Sequence, residues 1–131
     1  MIRSGELKIS YVPQSTEHLS GDLNEYCEAL GIDGSLFRTI LRKLDFSRGQ
    51  LEKPIEALSG GQKKKALIAG SLCQQAHLYI WDEPLNYIDV LSRIQIEKLL
   101  LKYRPTLLFV EHDSAFNRRI AGKQAEIIKI G

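Results

Sequence analysis

Three short segments carry residue types that could act on a phosphate. Leu58-Ser59-Gly60-Gly61-Gln62 sets a hydroxyl and two glycines where a helical pattern begins. Such a turn bares backbone N–H groups, adds the positive end of a helix dipole and lets an anion approach without Cβ interference. The same residues also read as a plain helix cap, with Ser59 capping and the glycines turning the chain. The apolar run His77 to Trp81 ends in Asp82-Glu83-Pro84. A strand ending in adjacent carboxylates delivers both to the carboxyl edge of a sheet, where α/β folds bind ligands. Adjacent strand residues point in different directions. One carboxylate can therefore hold Mg²⁺ through waters while the other orients or deprotonates an attacking water. Acids in this place are otherwise a solvated strand end. Val110-Glu111-His112-Asp113 closes another apolar run and puts an imidazole where it could touch a γ-phosphate. A histidine at a strand end is otherwise a surface or capping residue.

The elements that must position these residues follow from periodicity. Leu7 to Val12 reads as a strand stopped by Pro13, and Gln14 to Ser20 as a polar connection. A helix is predicted from Ser20, with Ser20 as cap, Asp22 in the first turn and Gly31 at the end. Leu36, Phe37, Ile40, Leu41 and Leu44 form one face of a second helix. Ser47 to Glu56 is a polar segment, and the helix after Gln62 runs to about Gln74. The continuous hydrophobicity of His77 to Trp81 suits a parallel strand buried on both faces. Asp89 can cap a helix from Val90 to about Tyr103, with Leu91, Ile94 and Leu99 facing inward and Pro105 breaking it. Thr106 to Val110 is another buried strand. A short helix over Ser114 to Ala121 leads to a last strand near Ala125 to Ile130. Strands alternating with helices of this size imply a parallel α/β sheet.

Composition is consistent with one domain: 131 residues, 44% hydrophobic and 26% charged. A formal net charge of +2 argues neither for nucleic acid nor for membrane. No apolar run approaches the roughly 20 residues of a membrane helix, and the first residues lack a signal peptide's apolar stretch. Cys27 and Cys73 have no metal or redox spacing and read as reduced, buried thiols of a cytoplasmic protein.

The order of the segments resembles the ATP-binding-cassette (ABC) ATPase family over essentially the whole chain. The resemblance implies a P-loop NTPase-like α/β cassette. Residues 1–14 and 76–131 would belong to the α/β core, and about 15–75 to a small helical subdomain bearing the signature. It further implies that Gln14 is the glutamine-loop residue that senses Mg²⁺ and the attacking water. Asp82 would be the metal-side carboxylate, Glu83 the catalytic base and His112 the switch histidine. Ser59, Gly60, Gly61 and Gln62 would be the signature segment, which binds the ATP held by an opposite cassette. Pro84 to Asp89 would cross between the two cassettes, placing Asp89 with the nucleotide-binding residues.

Glu83-Pro84-Leu85-Asn86-Tyr87-Ile88-Asp89 is more similar to the Glu-Pro-Thr-Asn-His-Leu-Asp of ABC-F proteins than to the Ser-Ala-Leu-Asp ending common in transporter cassettes. With Trp81 before the acids, it resembles the antibiotic-resistance branch of ABC-F, particularly the second cassette. Leu85, Tyr87 and Ile88 depart from the ABC-F pattern without touching the acids. The resemblance implies ATP and Mg²⁺ as cofactors, a second cassette in cis or trans and the ribosome as partners, and no membrane. The other readings are the ATP-hydrolysing subunit of a transporter and a non-catalytic interaction module. Lys63, Lys64 and Lys65 read either as a solvated face or as a ribosomal RNA contact.

Hydrolysis requires a Gly-x-x-x-x-Gly-Lys-Ser/Thr loop around the β- and γ-phosphates. The 131 residues contain none; Gly122-Lys123 is followed by Gln124 and lacks the required context. In the family that loop precedes the glutamine loop. The expectation is a cassette cut short before it, with weak or no ATP binding by itself. Loss of the phosphate-loop strand should leave unpaired strand edges and exposed apolar surface, favouring self-association or strand exchange.

Overall fold

A computed structural model describes residues 8–85, 87–110 and 128–130. Four strands, β1 (Ile9–Val12), β2 (Leu78–Asp82), β3 (Leu107–Val110) and β4 (Ile128–Ile130), form one sheet in the order β1-β2-β3-β4. Every neighbouring pair is parallel. The register sets Val12 beside Trp81 and Asp82 beside Val110. All carboxyl ends therefore share one edge, as expected for an α/β layer. Pairing of the described strands is uninterrupted, but β1 does expose apolar surface: Ile9 and Tyr11 point outward while Ser10 and Val12 are buried.

Between β1 and β2 lie four helices, α1 (Leu23–Leu30), α2 (Gly34–Lys43), α3 (Arg48–Leu51) and α4 (Gly60–Cys73). Asp22, rather than Ser20, caps α1. Its carboxylate accepts from the Glu25 N–H at 2.7 Å, and the Glu25 carboxylate accepts from the Asp22 N–H at 2.9 Å. This reciprocal box satisfies two donors that the first turn would otherwise leave open. Gly31 ends the helix at φ 67, the left-handed turn that glycine adopts without a Cβ penalty. On α2 the predicted face is buried at Phe37, Ile40 and Leu41, continued by Leu44 past the helix end. The polar segment 47–56 holds α3 and the start of a short 3₁₀ turn, Ile55–Ala57. Ser47 and Gln50 form a second capping box there, and Ile55 is fully buried.

Helix α4 is the central element: every residue from Ala66 to Leu72 is buried. A helix buried all round must be surrounded by other elements. It packs against α2 and β1. A buried polar chain ties it to the sheet. The Trp81 indole N–H donates to Ser71 Oγ at 2.9 Å, Ser71 and Ser10 share a 2.6 Å hydroxyl contact, and Ser10 Oγ donates to the Gln74 side-chain carbonyl. Because Ser10 spends its proton on Gln74, Ser71 donates to Ser10, so one direction of donation runs through the chain.

Two expectations of burial fail. On β2 only Trp81 is fully buried; Leu78, Tyr79, Ile80 and Asp82 are half-buried. Helix α5 (Val90–Tyr103) starts at its Asp89 cap, but Leu91 and Ile94 are exposed. The inward line is Ser92, Ile96, Leu99 and Leu100, an i, i+4, i+7, i+8 stripe. The helix ends on Arg104 in a left-handed conformation at φ 48, directly before Pro105. The predicted helix over 114–121 lies outside the described residues.

Candidate functional site

The site is built where the chain leaves the carboxyl edge of the sheet. At the end of β2, Glu83 adopts φ 49, a left-handed conformation unusual for a residue with a Cβ. Tyr87 does the same at φ 66. Each such residue costs on the order of 1 kcal/mol and persists only when its surroundings hold it. The surroundings are apparent. Leu85 and Ile88 are buried, the Ile88 N–H donates to the Leu85 carbonyl at 3.1 Å, and Arg93 Nε donates to the Ile88 carbonyl at 3.1 Å. Asp89 then caps α5 by accepting from the Ser92 N–H at 2.7 Å. That bond and one from the Ser92 hydroxyl hold the Asp89 carboxyl below its ordinary value, with Lys65 nearby adding to the effect.

At the start of α4, Ser59 Oγ accepts from the Gln62 N–H at 3.1 Å, and the Gln62 side chain accepts from the Ser59 N–H at 2.9 Å. The capping reading of Ser59 is thus correct. It leaves the anion reading open, because the amides of Gly60 and Gly61 sit in the first turn, where no intrahelical acceptor exists. The two glycines differ sharply in their surroundings. A Cβ on Gly61 would lie 2.5 Å from the Tyr87 carbonyl oxygen, whereas one on Gly60 would make ordinary contact with the Tyr87 ring at 3.6 Å. Gly61 is needed so that the 84–89 loop can lie directly against the helix start.

Gln14 follows β1 and lines a cavity of about 260 Å³ with Ser15, Thr16, Glu17 and Tyr87. Lys64 anchors this segment. Its side chain is fully buried, and Nζ donates to the carbonyls of Gln14 at 2.8 Å and Pro13 at 3.2 Å. Both sequence readings of Lys64, solvated face and RNA contact, are therefore wrong for this residue; Lys63 and Lys65 are half-buried. The available signal was helical spacing: Lys64 lies one turn beyond Gly60 and one turn before buried Ile68, on the packed side of α4.

Tyr87 thus lies against Gly60 and Gly61 and shares a cavity with Gln14, while Lys64 joins α4 to the same segment. Asp82 and Glu83 emerge at this edge but do not line that cavity. Among the described residues no three His, Cys, Asp or Glu side chains converge. Asp82, at the carboxyl end of β2, is a hard oxygen donor of the type Mg²⁺ takes. His112 and Asn86 lie outside the described residues.

The family profile described as ABC transporter matches residues 2–86. The putative ATP-binding protein YdiF of Bacillus subtilis (strain 168) is 39% identical over 97 residues, which is 74% of this chain and 15% of YdiF. The chain thus spans less than a fifth of that relative. Among solved structures, an archaeal ribosome recycling factor in complex with a ribosomal stalk protein superposes with TM-score 0.76 at 24% identity, over 88% of this chain and 23% of that one. A dimeric bacterial ABC transporter cassette superposes with TM-score 0.68 at 21% identity, over 94% and 58%. These two likenesses show a shared cassette fold. No helix among the described residues is long and apolar enough to cross a membrane.

Proposed function

Since the chain belongs to the ABC transporter family of ATP-binding domains, we propose that it supplies the signature, glutamine-loop and acid-bearing parts of an ABC-F type cassette that couples ATP binding and hydrolysis to action on the ribosome in the cytoplasm. The observation that carries the reading is the junction at Tyr87 and Lys64, which ties Ser59–Gln62, Gln14 and the loop following Glu83 into one edge. The buried Leu85 and Ile88 support the ABC-F assignment. As buried residues, Leu85 and Ile88 can replace the Thr and Leu of that pattern as loop anchors without involving the acids. The likeness to a ribosome recycling factor is in keeping with a ribosomal role, and the Trp81-Asp82-Glu83-Pro84-Leu85 run favours the antibiotic-resistance branch.

In this reading Glu83 takes a proton from water as its oxygen attacks the γ-phosphorus in line with the departing β–γ bridging oxygen. Gln14 would orient that water, Asp82 would hold Mg²⁺, and His112, by its place in the sequence, would be the γ-phosphate switch. Mg²⁺ would neutralise charge on the β- and γ-phosphates. The amides of Gly60 and Gly61, with the Ser59 hydroxyl, complement the γ-phosphate of ATP held by a second cassette. The 131 residues carry no Gly-x-x-x-x-Gly-Lys-Ser/Thr loop, so the cradle for a triphosphate must come from other sequence. The chain by itself neither binds ATP tightly nor hydrolyses it.

The test uses a protein that joins this segment to a phosphate loop. Glu83→Gln should lower ATP turnover by about 100-fold or more, with ATP affinity retained. Unchanged turnover would remove Glu83 from the role of base. ATP-dependent co-sedimentation with ribosomes tests the coupling separately. The open face of β1 at Ile9 and Tyr11 supports self-association of the chain, which a monomeric sedimentation profile would contradict.

A further inference from the structure

Among the described residues Lys64 is the only buried charged side chain, and the chemistry above gives its ammonium no part. A lysine is taken out of water only where its donors are spent. Here they reach two successive carbonyls, those of Gln14 at 2.8 Å and Pro13 at 3.2 Å. The choice of acceptors is specific in what it fixes. The Pro13 carbonyl belongs to the peptide plane before the Gln14 Cα, and the Gln14 carbonyl to the plane after it. Peptide groups are planar, so holding both planes leaves φ and ψ of Gln14 little freedom. The direction of its Cα–Cβ bond is then set as well.

The rest of this segment does little to hold Gln14. Pro13 has no N–H with which to continue the β1 ladder. The hydrogen bonds that follow stay local, from the Glu17 N–H to Ser15 Oγ at 3.2 Å and from the Leu19 N–H to the Thr16 carbonyl at 3.2 Å. Gln14 is exposed, so packing does not orient its side chain. We propose that Lys64 is the positioning residue for Gln14: by pinning the two peptide planes that flank its Cα, the ammonium sets the direction of the Gln14 side chain. An apolar residue of the same bulk would fill the space without fixing either plane. Lys64 lies one turn beyond Gly60 on α4, so the helix that presents Gly60 and Gly61 also sets Gln14. The inference rests on the reading above for what Gln14 does in hydrolysis, and on the hydrogen bonds for how it is held.

Two measurements test it. In the protein that joins this segment to a phosphate loop, Lys64→Met should lower kcat about tenfold or more, with the KM for ATP little changed. A double-mutant cycle identifies the route: Gln14→Ala/Lys64→Met should turn over no more slowly than Gln14→Ala. Ile40→Val, which loosens the core of α2 instead, should leave kcat unchanged. In the 131-residue chain, the backbone order parameters of Gln14 and Ser15 should fall from about 0.85 to below about 0.6 in Lys64→Met and stay high in Ile40→Val. If Lys64→Met does not fold, Lys64→Gln, which keeps an N–H donor of shorter reach, takes its place with a smaller loss. Four results would overturn the proposal: native turnover in Lys64→Met while Gln14→Ala loses activity, losses that multiply in the double variant, an equal loss in Ile40→Val, or unchanged order parameters. If Gln14→Ala keeps native turnover while the order parameters fall as expected, the hydrolytic role of Gln14 fails and its placement by Lys64 stands.

Discussion

The start of α4 and the loop leaving β2 lie against each other, yet they are held by opposite means. At the helix start, local chemistry suffices: Ser59 and Gln62 exchange two hydrogen bonds within four residues, in unstrained geometry. In the loop, Glu83 and Tyr87 occupy left-handed conformations that their own side chains disfavour. Buried Leu85 and Ile88, the Arg93 bond and the Asp89 cap impose those conformations from outside. A cap is written in adjacent residues, whereas the loop is over-determined by packing from α4 and α5. Glu83, the base in the proposed function, lies on the side that stores strain, where a precise side-chain direction needs external support.

The largest expected effect breaks the contact between the two. Gly61→Ala drives a Cβ into the Tyr87 carbonyl at 2.5 Å, and backbone rather than a flexible side chain must yield. Urea unfolding should show a loss of about 3 kcal/mol. Gly60→Ala meets only ordinary contact and should be neutral or slightly stabilising, by up to about 0.5 kcal/mol from helix propensity. Equal effects at the two glycines would refute the close approach. Next comes Lys64→Met, which keeps bulk but removes the donor to the Pro13 and Gln14 carbonyls. A loss of about 2 kcal/mol is expected, with faster amide exchange over residues 14–17 and little change in the helix cap itself.

The smallest effect sharpens the loop side. Asp89→Ala should cost about 1 kcal/mol through the lost cap, and Asp89→Asn much less. The Ser92 bonds depress the folded-state pKa of Asp89. The resulting stability is therefore present above the unfolded-state value, about 4, and is lost as pH falls through the lower folded value. Melting temperatures measured from neutral pH into the acid range should fall further for the native chain than for Asp89→Asn, by a small margin because the carboxyl is exposed.

These contrasts also explain what could be read from sequence. Capping at Ser59 and Asp89, the helical face Phe37-Ile40-Leu41 and the parallel strands depend on residues a few positions apart, and periodicity or cap chemistry reveals them. Ser20 and Asp22 are both competent caps for α1, and the Glu25 box decides between them. The exposure of Leu91 and Ile94 is not legible in sequence, since an apolar residue on α5 satisfies the pattern whichever way the neighbouring elements lie. The anchoring role of Lys64 is hidden from sequence because its acceptors are 50 and 51 residues away in the chain. The positive φ of Glu83 and Tyr87 has no local sequence signal, as neither is a glycine or asparagine.

The most direct test of a signature segment that complements ATP held elsewhere is calorimetric titration of Mg²⁺·ATP into the 131-residue chain. It is repeated with a phosphate-loop-bearing cassette present, for the native chain and for Ser59→Arg. The chain alone should give no saturable binding, while the mixture should retain nucleotide more tightly than the cassette does by itself, and Ser59→Arg should abolish that gain. Micromolar ATP affinity of the isolated chain, or a gain indifferent to Ser59→Arg, would contradict it.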